Sequence, residues 1–96
     1  MIEELKERFK EHVIDLQNQI TKRMKLLDAN IELTQDNWDR LDFDNKPGGG
    51  GITRAFEGNL FENAGVNTSV VFGKINPDFA KKLNGDANEL WATGIS

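Results

Sequence analysis

Residues 42–51, DFDNKPGGGG, divide this chain into two textures. Pro47 fixes one backbone angle and Gly48 to Gly51 free the next four, so the run reads as a loop, glycine-rich over residues 45–51. Before it, apolar residues recur with a helical period; after it, they come in short β-prone pieces. That order sets the expected fold class. It is α+β, a long N-terminal helix packed on an antiparallel sheet, not a doubly wound parallel one.

Upstream, Ile2, Leu5, Phe9, Val13, Leu16, Ile20, Met24 and Leu27 are spaced three or four apart and form one stripe on a helix spanning residues 1–29. Glu3, Glu4 and Glu7 near its start and Lys22, Arg23 and Lys25 near its end suit the helix dipole. The stripe is expected to cover a hydrophobic surface elsewhere in the fold. It stops at Asp28–Asn30, too short for a sustained coiled coil. His12 lies beside the stripe and reads as a partly packed boundary histidine, with no acidic or nucleophilic partner placed by the sequence.

Downstream, residues 31–39, IELTQDNWD, read as a short strand or an irregular lead-in. Ile52–Phe56 and Leu60–Asn63 flank Glu57-Gly58-Asn59, a hairpin signal. Val66–Phe72 is rich in Val and Thr and strand-like, with Gly73 interrupting it. Pro77 opens a short helix, PDFAKKL, with Gly85 after it, and Leu90–Ile95 is a last strand. Residues 52–96 therefore read as strands with one short helix. Val66–Phe72 is expected to be an open sheet edge prone to pairing with another chain.

Composition narrows the function. The 96 residues fit one domain, with 38% hydrophobic and 29% charged residues. No run approaches the ~18 apolar residues of a membrane span, and the charged start MIEELKERFKEH is not a secretory signal. There is no cysteine and one histidine, so thiolate chemistry is excluded and a multi-histidine metal site or a histidine triad has little to build on. The net charge of −4 argues against nucleic acid as a partner.

The four glycines have three readings: a flexible linker, a phosphate cradle, or close backbone approach to a bulky flat ligand. The cradle fails, because Ile52-Thr53-Arg54 follows Gly51 where a P-loop needs a lysine and a helix, and the dinucleotide pattern fails at Arg54. Composition does not choose between the other two.

Asn37-Trp38-Asp39-Arg40, Gly48–Gly51, Thr53-Arg54, then LFENAGVNTS at Leu60–Ser69, Gly73, and Ala92-Thr93-Gly94-Ile95-Ser96 follow one another compactly. Together they resemble the oxygen-dependent coproporphyrinogen III oxidase family, whose members read roughly D-x-W-x-R, GGGG-x-[ST], V-F-E-x-[AG]-G-V-N-x-S and A-x-G-[VIL]-S. The resemblance covers almost the whole chain and implies that residues 1–96 are the N-terminal part of one oxidase domain, within a larger helix/sheet/helix fold. LDFDNK departs from the pattern as a small insertion before Pro47.

The resemblance implies an enzyme of heme and porphyrin biosynthesis. It converts two propionates of coproporphyrinogen III to vinyl groups, with O₂ as co-substrate, no organic cofactor and an open question of metal dependence. It implies a cytoplasmic homodimer. Ser96, Arg54, Gly49 and Gly50 are the expected substrate contacts. Leu60, Phe61, Glu62, Ala64, Gly65, Val66, Asn67 and Ser69, within Leu60–Ser69, are assigned first to dimerisation and second to substrate. Arg40 is expected in a substrate role or in an ion pair with Asp36 or Asp39. No catalytic or metal-binding residue is expected within this chain, because the family's histidine motifs follow the position of Ser96. Gly49→Val or Gly50→Val in the complete enzyme is expected to weaken substrate binding with little loss of secondary structure. The alternatives are a non-catalytic dimerisation or tetrapyrrole-binding module, or a small scaffold whose helix docks a partner.

Overall fold

The computed structural model describes residues 2–82 and 89–96. Its elements are α1 (Ile2–Leu27), β1 (Glu32–Leu41), β2 (Pro47–Glu57), β3 (Ala64–Lys74), α2 (Pro77–Lys82) and β4 (Glu89–Ile95). The strands form one sheet in sequence order, β1-β2-β3-β4, each pair antiparallel. Helix α1 packs on one face of it, over β3 and β4. The fold is the α+β arrangement expected. Leu83 and Gly85, assigned from sequence to the end of the short helix, lie outside the described residues.

The glycine run is not a loop. Pro47–Gly51 is the first half of β2, and the connection to β1 is only residues 42–46. Gly50 pairs with Asp39 on one side and Val70 on the other; Gly51 pairs with Trp38 and Ser69. Glycine costs conformational entropy in a strand. Here ladder bonds on both sides offset it, and the neighbouring backbones come too close for any side chain. Pro47 is tolerated as the strand's first residue, where its missing N–H removes least from the ladder.

Other elements shift for similar non-local reasons. Leu60–Asn63 is not a strand but part of the turn between β2 and β3. There Gly58 donates to the Phe61 carbonyl at 2.8 Å, and the Asp28 carboxylate accepts from the Leu60 N–H at 2.8 Å. Gly73 does not interrupt β3; at φ +107° it is carried within the strand, beside Asp42. Val66–Phe72 is no edge, since β3 is paired on both sides; the edges are β1 and β4.

The helix meets the sheet along one margin of its apolar stripe, not through its centre. Val13, Gln17 and Thr21 are its buried residues, while Ile2, Leu5, Phe9 and Leu27 are exposed. At about 100° per residue, the stripe is centred roughly 70° round the helix from Gln17. Gln17 is completely buried. Its Nε2 donates to the Ile52 carbonyl at 2.8 Å and the Val66 carbonyl at 3.0 Å, and its Oε1 accepts from the Thr68 hydroxyl at 3.1 Å. An amide so placed must be fully bonded, and that requirement overrides the stripe in setting the helix's rotation. Val13, Phe56, Val66 and Ala80 are the buried apolar residues among those described, a small core.

Two carboxylates hold the connections. Asp28 is held below the ordinary carboxylate range chiefly by the Leu60 N–H, with those of Asn30, Phe61 and Asn59 adding to it. Asp42 is lowered chiefly by the Lys46 N–H, then by those of Lys74 and Asp44 and by the Lys46 charge. Through these bonds Asp42 ties the β1–β2 turn to the end of β3.

Replacing Gln17 by Leu strands two carbonyls and a hydroxyl, and should cost about 2–3 kcal/mol in chemical denaturation with an unchanged m-value. Asp28 and Asp42 predict an acid-labile fold. Their folded pKa values lie below the unfolded value of about 3.9, so the unfolded state binds more protons as pH falls. Their contribution should be complete above roughly pH 5 and fade below about pH 4. Asp28→Asn should flatten that acid limb of a stability–pH curve.

Candidate functional site

The register sorts the polar residues onto two faces. Ile52, Thr68 and Ile95 share a row beneath α1, as the Gln17 bonds require. The adjacent rows lie on the opposite face, away from α1. One of these is Asp36, Thr53 and Asn67, continued by Ser96 just beyond β4. Asn67 and Ser96 exchange both backbone hydrogen bonds, at 2.8 and 2.9 Å. In such a pair the side chains stand about 5 Å apart on the same face. The next row is Trp38, Gly51, Ser69 and Gly94.

Trp38 lies along this face. A Cβ on Gly51 would sit 2.5 Å from its Cζ2 and 2.7 Å from its Cε2, so the indole occupies the space glycine leaves. The ring N–H reaches Thr53 Oγ1 at 3.1 Å and Asn67 Oδ1 at 3.4 Å, and the Thr53 hydroxyl donates to Asn67 Oδ1 at 2.6 Å. Around this relay the face is floored by small residues, including Ala55, Ala92 and Gly94, and above Gly94 the space is open. The result is a broad shallow platform with a hydrogen-bonded polar row ending at Ser96.

The four expected substrate contacts do not converge. Ser96 belongs to the open face. Arg54 points toward α1, where its Nη1 donates to Asn18 Oδ1 at 2.9 Å and Thr21 Oγ1 at 3.0 Å, and its Nε to Gln35 Oε1 at 2.9 Å. Gly49 and Gly50 line a cavity of about 330 Å³ between α1 and the sheet, with Lys10, Ile14, Asp39 and Thr93. Arg40 makes no ion pair with Asp36 or Asp39; its Nη1 donates to the carbonyls of Gly48 at 2.8 Å and Phe72 at 3.1 Å, bracing the start of β2. His12 is exposed on the helix. Among the described residues no cluster of three His, Asp or Glu is placed to hold a metal.

Of the segment assigned to dimerisation, Leu60, Glu62 and Gly65 are exposed, Phe61, Ala64, Asn67 and Ser69 are half-buried, and Val66 is buried beneath α1. Sequence reasoning missed the relay from Trp38 through Thr53 to Asn67. Each residue was visible, but their alignment depends on the register of three strands.

The family model for coproporphyrinogen III oxidase matches residues 8–96. The chain is 34% identical over 94 residues to an oxygen-dependent coproporphyrinogen-III oxidase of Prochlorococcus marinus, covering 95% of this chain and 26% of that protein. It is 33% identical to the mitochondrial oxygen-dependent coproporphyrinogen-III oxidase of Mus musculus, over 92% of this chain and 19% of that one. To coproporphyrinogen-III oxidase 1, chloroplastic, of Arabidopsis thaliana it is 31% identical, over 93% and 24% respectively. The chain thus spans about a fifth to a quarter of the length of these curated relatives. No solved structure matches it.

The glycines are tested by substitution. A Cβ on Gly49 would fall on the Val70 carbonyl, and one on Gly50 on the Trp38 carbonyl. The expectation that such changes spare secondary structure is therefore corrected: they strike the sheet itself. Gly49, at φ +98°, adds the strain of a left-handed backbone. Gly49→Val should abolish the β signature in circular dichroism. Gly51→Ala, whose Cβ would fall on the Thr68 carbonyl as well as against the indole, should cost about 3 kcal/mol or more and shift tryptophan emission to the red as Trp38 lifts off the sheet.

Proposed function

Because this chain belongs to the coproporphyrinogen III oxidase family, we propose that it forms the substrate-binding sheet of an enzyme that oxidatively decarboxylates coproporphyrinogen III. In that reaction each of two propionate carboxylates gives up CO₂ and, formally, one hydride, whose two electrons go to O₂, leaving a vinyl group. The macrocycle is wide and carries four carboxylates, so its site needs a broad apolar floor and hydrogen-bond donors at the rim.

The observation that carries the reading is the place of Ser96. It ends the polar row on the open face, beside a floor of glycine and alanine and a tryptophan lying flat. A neutral hydroxyl there donates to a propionate oxygen. The cavity beneath α1 suits the substrate less well. Its volume of about 330 Å³ is at the bottom of the range for drug-sized ligands, about 300–1,000 Å³, and a tetrapyrrole is larger. On this reading Arg54 serves the helix–sheet contact and the group that removes a pyrrole proton lies outside these 96 residues. Assembly as a homodimer through the exposed part of Leu60–Ser69 belongs to the same proposal, with Val66 excluded from the contact by its burial.

The stable oxidised analogue coproporphyrin III provides the test. Titration followed at its Soret band should saturate at one equivalent, and Ser96→Ala should weaken binding about three- to tenfold. Incubated with coproporphyrinogen III in air, the 96 residues alone should form no vinyl product above a protein-free control. Absence of binding would overturn the reading. Turnover above control would place the proton-removing group within this chain.

A further inference from the structure

We propose that Asn67 is a second carboxylate donor of this site, paired with Ser96 and held in its donating orientation by Trp38 through Thr53. The inference rests on the tetrapyrrole reading above and extends it to a specificity-determining residue.

An indole N–H only donates. Trp38 Nε1 lies 3.1 Å from the Thr53 hydroxyl, so that oxygen accepts. The neighbouring Asn67 atom lies 2.6 Å from that hydroxyl, a separation typical of O–H···O and short for N–H···O, so the hydroxyl donates to the amide oxygen. The same oxygen takes the longer indole contact at 3.4 Å. The two ends of the Asn67 amide are thus distinguished by chemistry: Oδ1 faces the relay and Nδ2 faces away from it. No buried polar side-chain atom among the described residues lacks a partner, and Nδ2 has no acceptor among those residues, so it is open to solvent.

Ser96 is the residue directly across from Asn67. Its hydroxyl and the Asn67 Nδ2–H₂ group project from one hydrogen-bonded pair, about 5 Å apart at the Cβ atoms, over the small-residue floor. One carboxylate, with two oxygens each able to accept, bridges such a pair of donors. A carboxylate side chain at the same place would be repelled. The relay removes the alternative in which the amide turns its oxygen outward, so the Asn67–Ser96 end of the row presents donors, two strands away from the Asp36 carboxylate at its other end. Trp38 is a positioning residue in this scheme; Asn67 and Ser96 touch the ligand.

The probes are coproporphyrin III and its tetramethyl ester, titrated against the full chain at the Soret band. Asn67→Asp keeps an oxygen for the Thr53 proton but replaces the donor by a negative charge. It should weaken coproporphyrin III binding at pH 7.5 about tenfold or more and leave the ester within about twofold. Trp38→Phe releases the amide while keeping an aromatic ring on the floor, and should weaken the acid about threefold more than the ester. Unchanged binding of the acid by Asn67→Asp, with Ser96→Ala still weakened, overturns this inference and leaves the tetrapyrrole reading standing. No binding by the unsubstituted chain removes both. Should Asn67→Asp fail to fold by circular dichroism, Trp38→Phe decides: equal losses for acid and ester make the relay structural only and overturn the assignment.

Discussion

Three backbones come together at Gly49–Gly51 more closely than any side chain allows, and both faces of the sheet depend on that approach. β2 is the common partner of β1 and β3. Its glycines put the Val70, Trp38 and Thr68 carbonyls where Cβ atoms would otherwise stand. On one face the missing side chains leave the cavity under α1. On the other, the gap at Gly51 is filled by the Trp38 indole, which then reaches Thr53 and Asn67. The small-residue floor and the polar row are consequences of one constraint on backbone distance.

The helix is seated by polarity. Gln17 satisfies its amide on two sheet carbonyls and a threonine hydroxyl, and Thr21 and Asn18 receive Arg54 from below. Such a network fixes rotation and position more narrowly than apolar contact, because a small displacement leaves a buried group unbonded. It also turns much of the apolar stripe outward: Leu5, Phe9 and Leu27 are more than half exposed. Arg54, three residues after the glycine run, is thereby committed to the helix. The open face keeps the neutral polar side chains of Asn67 and Ser96, with the exposed Asp36 at the other end of their row.

Much of the architecture was legible from local pattern. The three-and-four spacing from Ile2 to Leu27 marked α1, Pro77 marked the start of α2, and Val66–Phe72 and Leu90–Ile95 marked two of the four strands. The motif order from Trp38 to Ser96 pointed to the family that the comparisons show. These signals survive in sequence because a helical or extended period is set by the chain's own geometry, within a few residues.

What the chain could not announce is what depends on a partner strand. Pro47–Gly51 looks like a loop because glycine and proline disfavour strands one residue at a time; β1 and β3 make it one by supplying ladder bonds on both sides. Arg54 and Ser96 seemed candidates for one site, yet residue alternation and three strand registers put them on opposite faces. Asn67 gained its defined orientation only when Trp38 and Thr53, 29 and 14 residues away, were brought beside it. Sequence determined the elements and the family. Tertiary pairing decided the faces, since a strand's side chains alternate and a register fixes which side each residue shares with its neighbours.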